Sequence, residues 1–308
     1  MLTRPVIRFH PAGPSEIDSM FTAPEKEACQ RLVDWALRED LDDTGDLTSQ
    51  AIIPSDLQGR AVFRVHTVGV VAGLPAAELV FAALNTAVVF QPVLEDGATV
   101  QPGNCLAIVT GPMQAILAGE RTALNFVQRL SGIACRARRY VEAVAGTGCQ
   151  ILDTRKTTPG WRLLEKYAVR CGGGANHRIG LYDAVLIKDN HLAALGGTHD
   201  AMRQAVQAAR AQAPHGVTVT LEIDHLEQLD TALQAGPNVI LLDNMKPEGL
   251  REAVARRNAI APAIQLEASG GVNLTTVREL AASGIDRISV GELTHSAPAL
   301  DIALDYEL

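Results

Sequence analysis

The chain has 308 residues, 47% hydrophobic and 20% charged, with a formal net charge of −8. Such a composition describes an ordinary globular protein of about two domains, and the negative sign argues against a nucleic-acid binder, which needs a basic face for phosphates. The cysteines, Cys29, Cys105, Cys135, Cys149 and Cys171, are odd in number and lack C-x-x-C spacing; they exclude a disulfide framework or zinc site and fit a reducing, cytoplasmic setting.

Residues 1–24, with Pro5, Pro11, Gly13 and Pro14, read as a flexible lead-in without a signal peptide's apolar core. No run of eighteen apolar residues exists, so no membrane association is expected. Pro24, Glu25 and Glu27 open a helix to about Asp40, with Leu32, Trp35 and Leu37 expected in the core. The turn-rich LDDTGDLTS leads to alternating runs such as AVFRVHTVGVVAG, a helix at LPAAELVFAALN and a strand at AVVFQPVL. EDGATVQPGNCLAIVTG predicts a hairpin of the biotinyl-carrier type, turning at Asp96-Gly97 and Pro102-Gly103. A swinging-arm carrier needs a lysine at that tip. None lies between Lys26 and Lys156, which excludes the role and leaves an architectural α+β domain.

A long helix is predicted from about Met113 to Ala145. Ile116, Glu120, Ala123, Val127, Leu130 and Ala134 trace a mostly apolar stripe, while Arg121, Asn125 and Gln128 trace a polar one. That polar stripe is either a solvated face or a device by which Arg121 reaches a site across an oligomer interface. From Ile151 the pattern becomes rhythmic. Apolar runs at QILDT, DAVLIKD, VTVTLEID, NVILLDN, AIQLEASGG and DRISVGE alternate with amphipathic stretches such as DAMRQAVQAARAQA and PEGLREAVARR. Parallel strands with helical connections, some six units of them, indicate an α/β barrel or near-barrel. No G-x-G-x-x-G follows the first strand, so a dinucleotide fold is not supported.

Polar residues close each run: Arg155 and Lys156, Lys188 and Asn190, Glu222 and Asp224, Asp243 and Asn244, Glu267 and Ser269, Gly291 and Glu292. In barrels the carboxyl ends of strands converge on one mouth, where buried charge is costly unless paired or ligated. Arg155, His177, Arg178 and Lys188, with Arg121, outnumber the nearby acids, the arrangement an anionic ligand requires. Glu222 and Asp243, on adjacent strands, suit Mg²⁺ or ribose hydroxyls; helix capping and salt bridges are the plainer alternative. Ser269-Gly270-Gly271 before a helix at LTTVRELAASG, and Gly291 after the last strand, are either turns or a paired phosphate cradle.

The run DTRKTTPGWRLLEKYAVRCGGGANHRIGLYDAVLIKDNH resembles the signature of the quinolinate phosphoribosyltransferases, as do GDLTS, ERTALNFVQRLSGIA, LEID, LLDNM, LEASGGV and ISVGELTHS. The resemblance covers nearly the whole chain after residue 25. It implies a sandwich domain at 25–130, an open, TIM-like α/β barrel at 131–295 as catalytic domain, and a tail, 296–308, packed on the first. It also implies homodimers with shared sites, Arg121 being the borrowed residue. Arg155, His177, Arg178 and Lys188 would hold the two carboxylates of quinolinate. Lys156, Glu222, Asp243, Ser269, Gly270, Gly271 and Gly291, with His295 nearby, would hold phosphoribosyl pyrophosphate (PRPP) and Mg²⁺. The implied catalytic set is Lys156, Lys188, Glu222 and Asp243, and the implied product is nicotinate mononucleotide. Three rivals remain: a paralogous phosphoribosyltransferase with another acceptor, a Schiff-base aldolase using Lys156 or Lys188, and a non-catalytic binding module.

Overall fold

The computed structural model describes residues 20–196 and 199–307; residues 1–19 of the expected lead-in lie outside the described residues. The amino-terminal half contains α1 (Ala23–Leu41), α2 (Leu47–Ile52), β1 (Gln58–Val65), β2 (Gly69–Val70), α3 (Leu74–Leu84), β3 (Val89–Pro92), β4 (Thr99–Val100), β5 (Cys105–Pro112) and α4 (Met113–Ala143). Helix α1 begins after Thr22, whose N–H and hydroxyl both donate to the Glu25 carboxylate, at 2.8 and 2.9 Å, and Pro24 occupies a first-turn position. It buries Ala28, Cys29 and Val33. Leu32 and Leu37 pack partly against the core. Trp35 departs from expectation: it is 81% exposed. Two positions beyond Val33 is about 200° around a helix, so the tryptophan faces away from the side that packs.

The four-stranded sheet has the order β12-β1-β5-β3, where β12 (Ile302–Tyr306) is the end of the chain. It pairs antiparallel with β1, from Ala61↔Tyr306 to Val65↔Ile302. Tyr306 donates its hydroxyl to Glu120 at 2.5 Å, which accounts for an acid within the apolar stripe of α4. The expected hairpin is corrected. Gly97 and Gly103 do turn the chain, at φ +94° and +88°, but the strands flanking the second turn join different sheets. β4 pairs with β2, and β5 with β1 and β3. The Gly103 N–H donates to the Val65 carbonyl and the Val65 N–H donates to the Asn104 carbonyl, which holds this arrangement in place of a two-stranded ladder.

Helix α4, 31 residues, runs without interruption past residue 130 and into the second half. It is followed by β6 (Gln150–Leu152), α5 (Arg162–Cys171), β7 (Val185–Ile187), α6 (Asp189–Ala194), α7 (His199–Gln212), β8 (Val219–Ile223), α8 (Leu229–Ala235), β9 (Val239–Asp243), α9 (Pro247–Ile260), β10 (Gln265–Ser269), α10 (Val277–Ala281), β11 (Arg287–Ser289) and α11 (Glu292–His295). The six strands form one parallel sheet in the order β6-β11-β10-β9-β8-β7. β6 and β7 are its unjoined edges, so this TIM-like barrel is open between them. The helix expected at LTTVRELAASG covers only Val277–Ala281, because Asn273 uses its side chain to cap a preceding turn at Thr275 and Thr276. Asp189–His191, read as a strand end, instead begin α6, with Lys188 in the capping position. No helix among the described residues is long and apolar enough to cross a membrane.

Candidate active site

The carboxyl ends of the parallel strands surround two adjoining cavities of about 460 and 340 Å³. The larger is lined by Arg155, Lys156, His177, Arg178, Lys188, Glu222, Asp243, Glu267 and the Ser269-Gly270-Gly271 loop. The smaller is lined by the same loop with Asn273, Gly291, Glu292 and His295. Lys156 and Thr154 border both. Thus every residue assigned above to substrate or metal converges here except Arg121 of α4, while the strand-end residues Asn190 and Asp224 line neither cavity. The strand register explains the depth: Asp243 pairs with Ser269, while Glu222 and Glu267 each pair with Leu241, two residues deeper. Period-two alternation aims that whole set to one side of the sheet.

The loop bearing Arg155 and Lys156 is tied from several sides. Thr154 accepts the Lys156 N–H through Oγ1 at 3.0 Å, and Thr294 donates its hydroxyl to the Lys156 carbonyl at 2.7 Å. Buried Glu165 of α5 accepts from the Thr158 amide and hydroxyl and from Arg129. Lys156 then passes over Gly291, where an added Cβ would stand 3.0 Å from its Cδ and 3.2 Å from His295 Nε2. A larger residue there would require the Lys156 and His295 side chains to give by a few tenths of an ångström.

Charge in the larger cavity is divided unevenly. Lys188 donates to both oxygens of Glu222, at 3.1 and 2.8 Å. His177 Nε2 is 3.3 Å from Oε1 of fully buried Glu267, whose other oxygen accepts from Arg287 Nε at 2.8 Å. His177 Nδ1 accepts the Arg178 N–H at 2.8 Å, so its ring leans on protein groups at both nitrogens. Lys188 is therefore paired with the protein's own acid, and His177, whose Nδ1 accepts an N–H, lies against Glu267, so the surplus is smaller than the residue list suggested. It resides in Arg155, Arg178 and Lys156, for which no carboxylate among the described residues lies within ion-pair distance. Arg155 Nε is buried without a hydrogen-bond partner. Burial and the neighbouring Arg155 charge both push the Arg178 guanidinium below its ordinary value. Two guanidiniums that repel each other on a cavity wall are stabilised by an anion between them.

Burial would push Glu267 up, but His177, Arg287 and Ser289 outweigh it and hold the carboxyl below the usual range. In the sequence Glu267 stands out only as a strand end. The available signal was an acid inside the apolar run IQLEAS, where an unpaired charge is not tolerated. Glu222 and Asp243 are half-buried oxygen donors; Asp243 accepts from Asn244 Nδ2 at 2.6 Å. A hard cation that keeps waters and shares phosphate oxygens needs only one or two such carboxylates, so the donor set fits Mg²⁺. Among the described residues no group of three or more His, Cys, Asp or Glu forms a self-sufficient metal cage.

Arg121 is exposed on α4, in a separate cleft with Trp35, Asn125, Phe126 and Trp161. Asn125 shares its exposure, whereas Gln128 turns inward and donates to the Ile302 carbonyl at 2.7 Å.

The chain matches two family descriptions in succession: "Quinolinate phosphoribosyl transferase, N-terminal domain" at residues 46–131 and "Quinolinate phosphoribosyl transferase, C-terminal domain" at 133–305. It is 44% identical over 290 residues to the nicotinate-nucleotide pyrophosphorylase [carboxylating] of Mycobacterium leprae, covering 93% of this chain and 100% of that one. The human protein of the same description is 40% identical over 275 residues, 89% of this chain and 90% of its own. A solved nicotinate-nucleotide pyrophosphorylase from Francisella tularensis superposes with a TM-score of 0.86 at 34% identity, covering 95% of this chain and 100% of that one.

Proposed function

We propose, for a chain that belongs to the quinolinate phosphoribosyl transferase family, a transfer of phosphoribosyl from PRPP to the ring nitrogen of quinolinate with loss of CO2. The products are nicotinate mononucleotide and pyrophosphate, and the reaction serves NAD biosynthesis. One observation carries the reading: Arg155 and Arg178 face a single cavity without a carboxylate partner, and a buried N–H of Arg155 has none at all. A planar dicarboxylate satisfies both forks.

Arg155 and Arg178 hold the two carboxylates, with His177 and Lys188 beside them. The glycine loops at Ser269-Gly270-Gly271 and Gly291, with His295, hold the phosphates of PRPP in the adjoining lobe. The pyridine nitrogen forms its bond to the anomeric carbon as the bond to pyrophosphate breaks, through an oxocarbenium-like transition state. Lys156, which borders both lobes, offsets negative charge on the departing diphosphate. Glu222 and Asp243 hold ribose hydroxyls and favour the positive charge that develops on the sugar. They also fit Mg²⁺, which when bound supplies Lewis-acid neutralisation of diphosphate oxygens. No side-chain nucleophile is needed, since bringing two polyanions together in the right orientation contributes most. The quaternised ring then accepts the electron pair released as the 2-carboxylate departs as CO2, and that carbon takes up a proton. Lys188, engaged on both oxygens of Glu222, is poorly disposed for Schiff-base chemistry.

Arg121 completes the site of the partner in a homodimer. Its exposure, its distance from the mouth of its own chain and the exposed Trp35 beside it support this role. All five cysteines are free, as a reducing cytoplasm requires. The test mixes the protein with quinolinate, PRPP and Mg²⁺ and follows pyrophosphate and CO2. Both should appear, and a chelator should suppress both. Turnover of nicotinate with quinolinate inert would overturn the assignment. Arg121→Ala should be inactive, and mixing it with inactive Lys156→Ala should restore part of the activity through hybrid sites; no recovery would refute the sharing.

A further inference from the structure

We propose that Lys166, with Asp153 and Asn176, is a positioning clamp that fixes the backbone of His177 and thereby sets where Arg178 meets the acid substrate. None of the three lines either cavity. Lys166 is fully buried on α5, its ammonium against Asp153 Oδ1 and 2.9 Å from the His177 carbonyl oxygen. The same Asp153 oxygen accepts the His177 N–H at 2.8 Å. Asp153 Oδ2 accepts from Asn176 Nδ2 at 2.6 Å, and that amide also reaches the Lys166 carbonyl at 2.9 Å. Both main-chain polar groups of His177 are thus held by one buried ion pair. Two residues earlier the chain is stitched to the end of β6, with Ala175 donating to Ile151 and accepting from Asp153.

Stability alone gives a poor account of this arrangement. A buried ion pair seldom stabilises more than apolar residues of equal volume, because desolvation consumes the attraction. What it provides is direction. With the carboxylate on the peptide that enters His177 and the ammonium on the peptide that leaves it, both units are held in one orientation. The Arg178 N–H in turn donates to His177 Nδ1, so the imidazole and the arginine backbone follow those peptides. The Gly-Gly-Gly-Ala segment before it, residues 172–175, has little side-chain packing of its own to do this work. By contrast, the phosphate-side loops at Gly270 and Gly291 are held by Asn244, Lys156 and Thr294, none of which touches the clamp.

The inference rests on the proposed function, and the experiment separates the two. Lys166→Met and Asn176→Ala are made in the full chain, checked for native circular dichroism, and assayed with each substrate varied at saturating levels of the other. Each should raise KM for quinolinate about tenfold or more while KM for PRPP stays within about threefold. Affinity for phthalate, a non-reacting dicarboxylate, should weaken in parallel by calorimetry. If Lys166→Met does not fold, Asn176→Ala, which keeps the ion pair, decides alone. Equal increases in both KM values, or unchanged values with only a lower Tm, would overturn the clamp. A wild-type protein inert towards quinolinate would instead overturn the proposed reaction.

Discussion

Gly270→Ala offers a test in which the structure supplies its own control. Gly270 has φ +91°, outside the left-handed region that an L-residue enters at modest cost. A Cβ there would overlap the Asn244 side-chain amide and stand 3.0 Å from the Asn244 backbone nitrogen. The Asn244 N–H is meanwhile bound to the Ser269 carbonyl at 2.8 Å, so the two loops cannot simply part. Forcing the dihedral costs about 1–3 kcal/mol, and displacing the amide from Asp243 costs about 0.5–1.5 kcal/mol more. About 1.5–4.5 kcal/mol must appear somewhere. If the loop keeps its shape the cost falls on Tm; if it relaxes, its N–H groups leave the phosphate and kcat/KM for PRPP falls by about tenfold or more. Gly271, next in the chain, has φ +58° and nothing within 4 Å of a would-be Cβ. Gly271→Ala should therefore cost only about 1 kcal/mol, near fivefold. The assay is kcat/KM for PRPP at saturating quinolinate, beside a thermal melt of each variant. Equal losses in the two variants would refute the reasoning, since the close approach to Asn244 distinguishes them.

Arg155→Ala should raise KM for quinolinate by about 10–150-fold, the worth of one charge-assisted bond at roughly 1.5–3 kcal/mol, without lowering the Tm of the ligand-free protein. The unpaired Arg155 repels Arg178, so a marked loss of Tm would show that the guanidinium stabilises the empty fold after all. Glu267 gives a pH prediction. Its folded value lies below its ordinary one, so the unfolded chain takes up the proton first as pH falls; the stability it contributes is complete above the unfolded value and disappears on passing down through the folded one. Urea midpoints of wild type and Glu267→Gln should accordingly converge as pH falls from 7 towards 3. A gap that widens in acid would contradict the assigned direction.

Much of this site was legible before any fold was known, for a simple reason. Parallel strands are apolar nearly throughout, so Lys156, Lys188, Glu222, Asp243 and Ser269 stand out where such runs stop. The same contrast hid the pairing. Sequence lists side chains without their partners: it could not show that Glu222 holds Lys188 or that His177 lies against Glu267. Trp35 went wrong for a related reason: hydrophobicity marks a residue that gains from burial, yet the face of α1 that packs is decided by its neighbours.

By itself, then, the sequence determined the alternation of strand and helix, the family signature and the residue types gathered at the strand ends, because each depends on periodicity or local chemistry. Tertiary structure alone decided which cations keep an unsatisfied charge, that Lys166 and Asp153 lie beneath the site rather than in it, and that β12 returns to close the first sheet beside β1. Those facts depend on distances between residues far apart in the chain, and electrostatic energy follows distance through space, to which order along a chain is no guide.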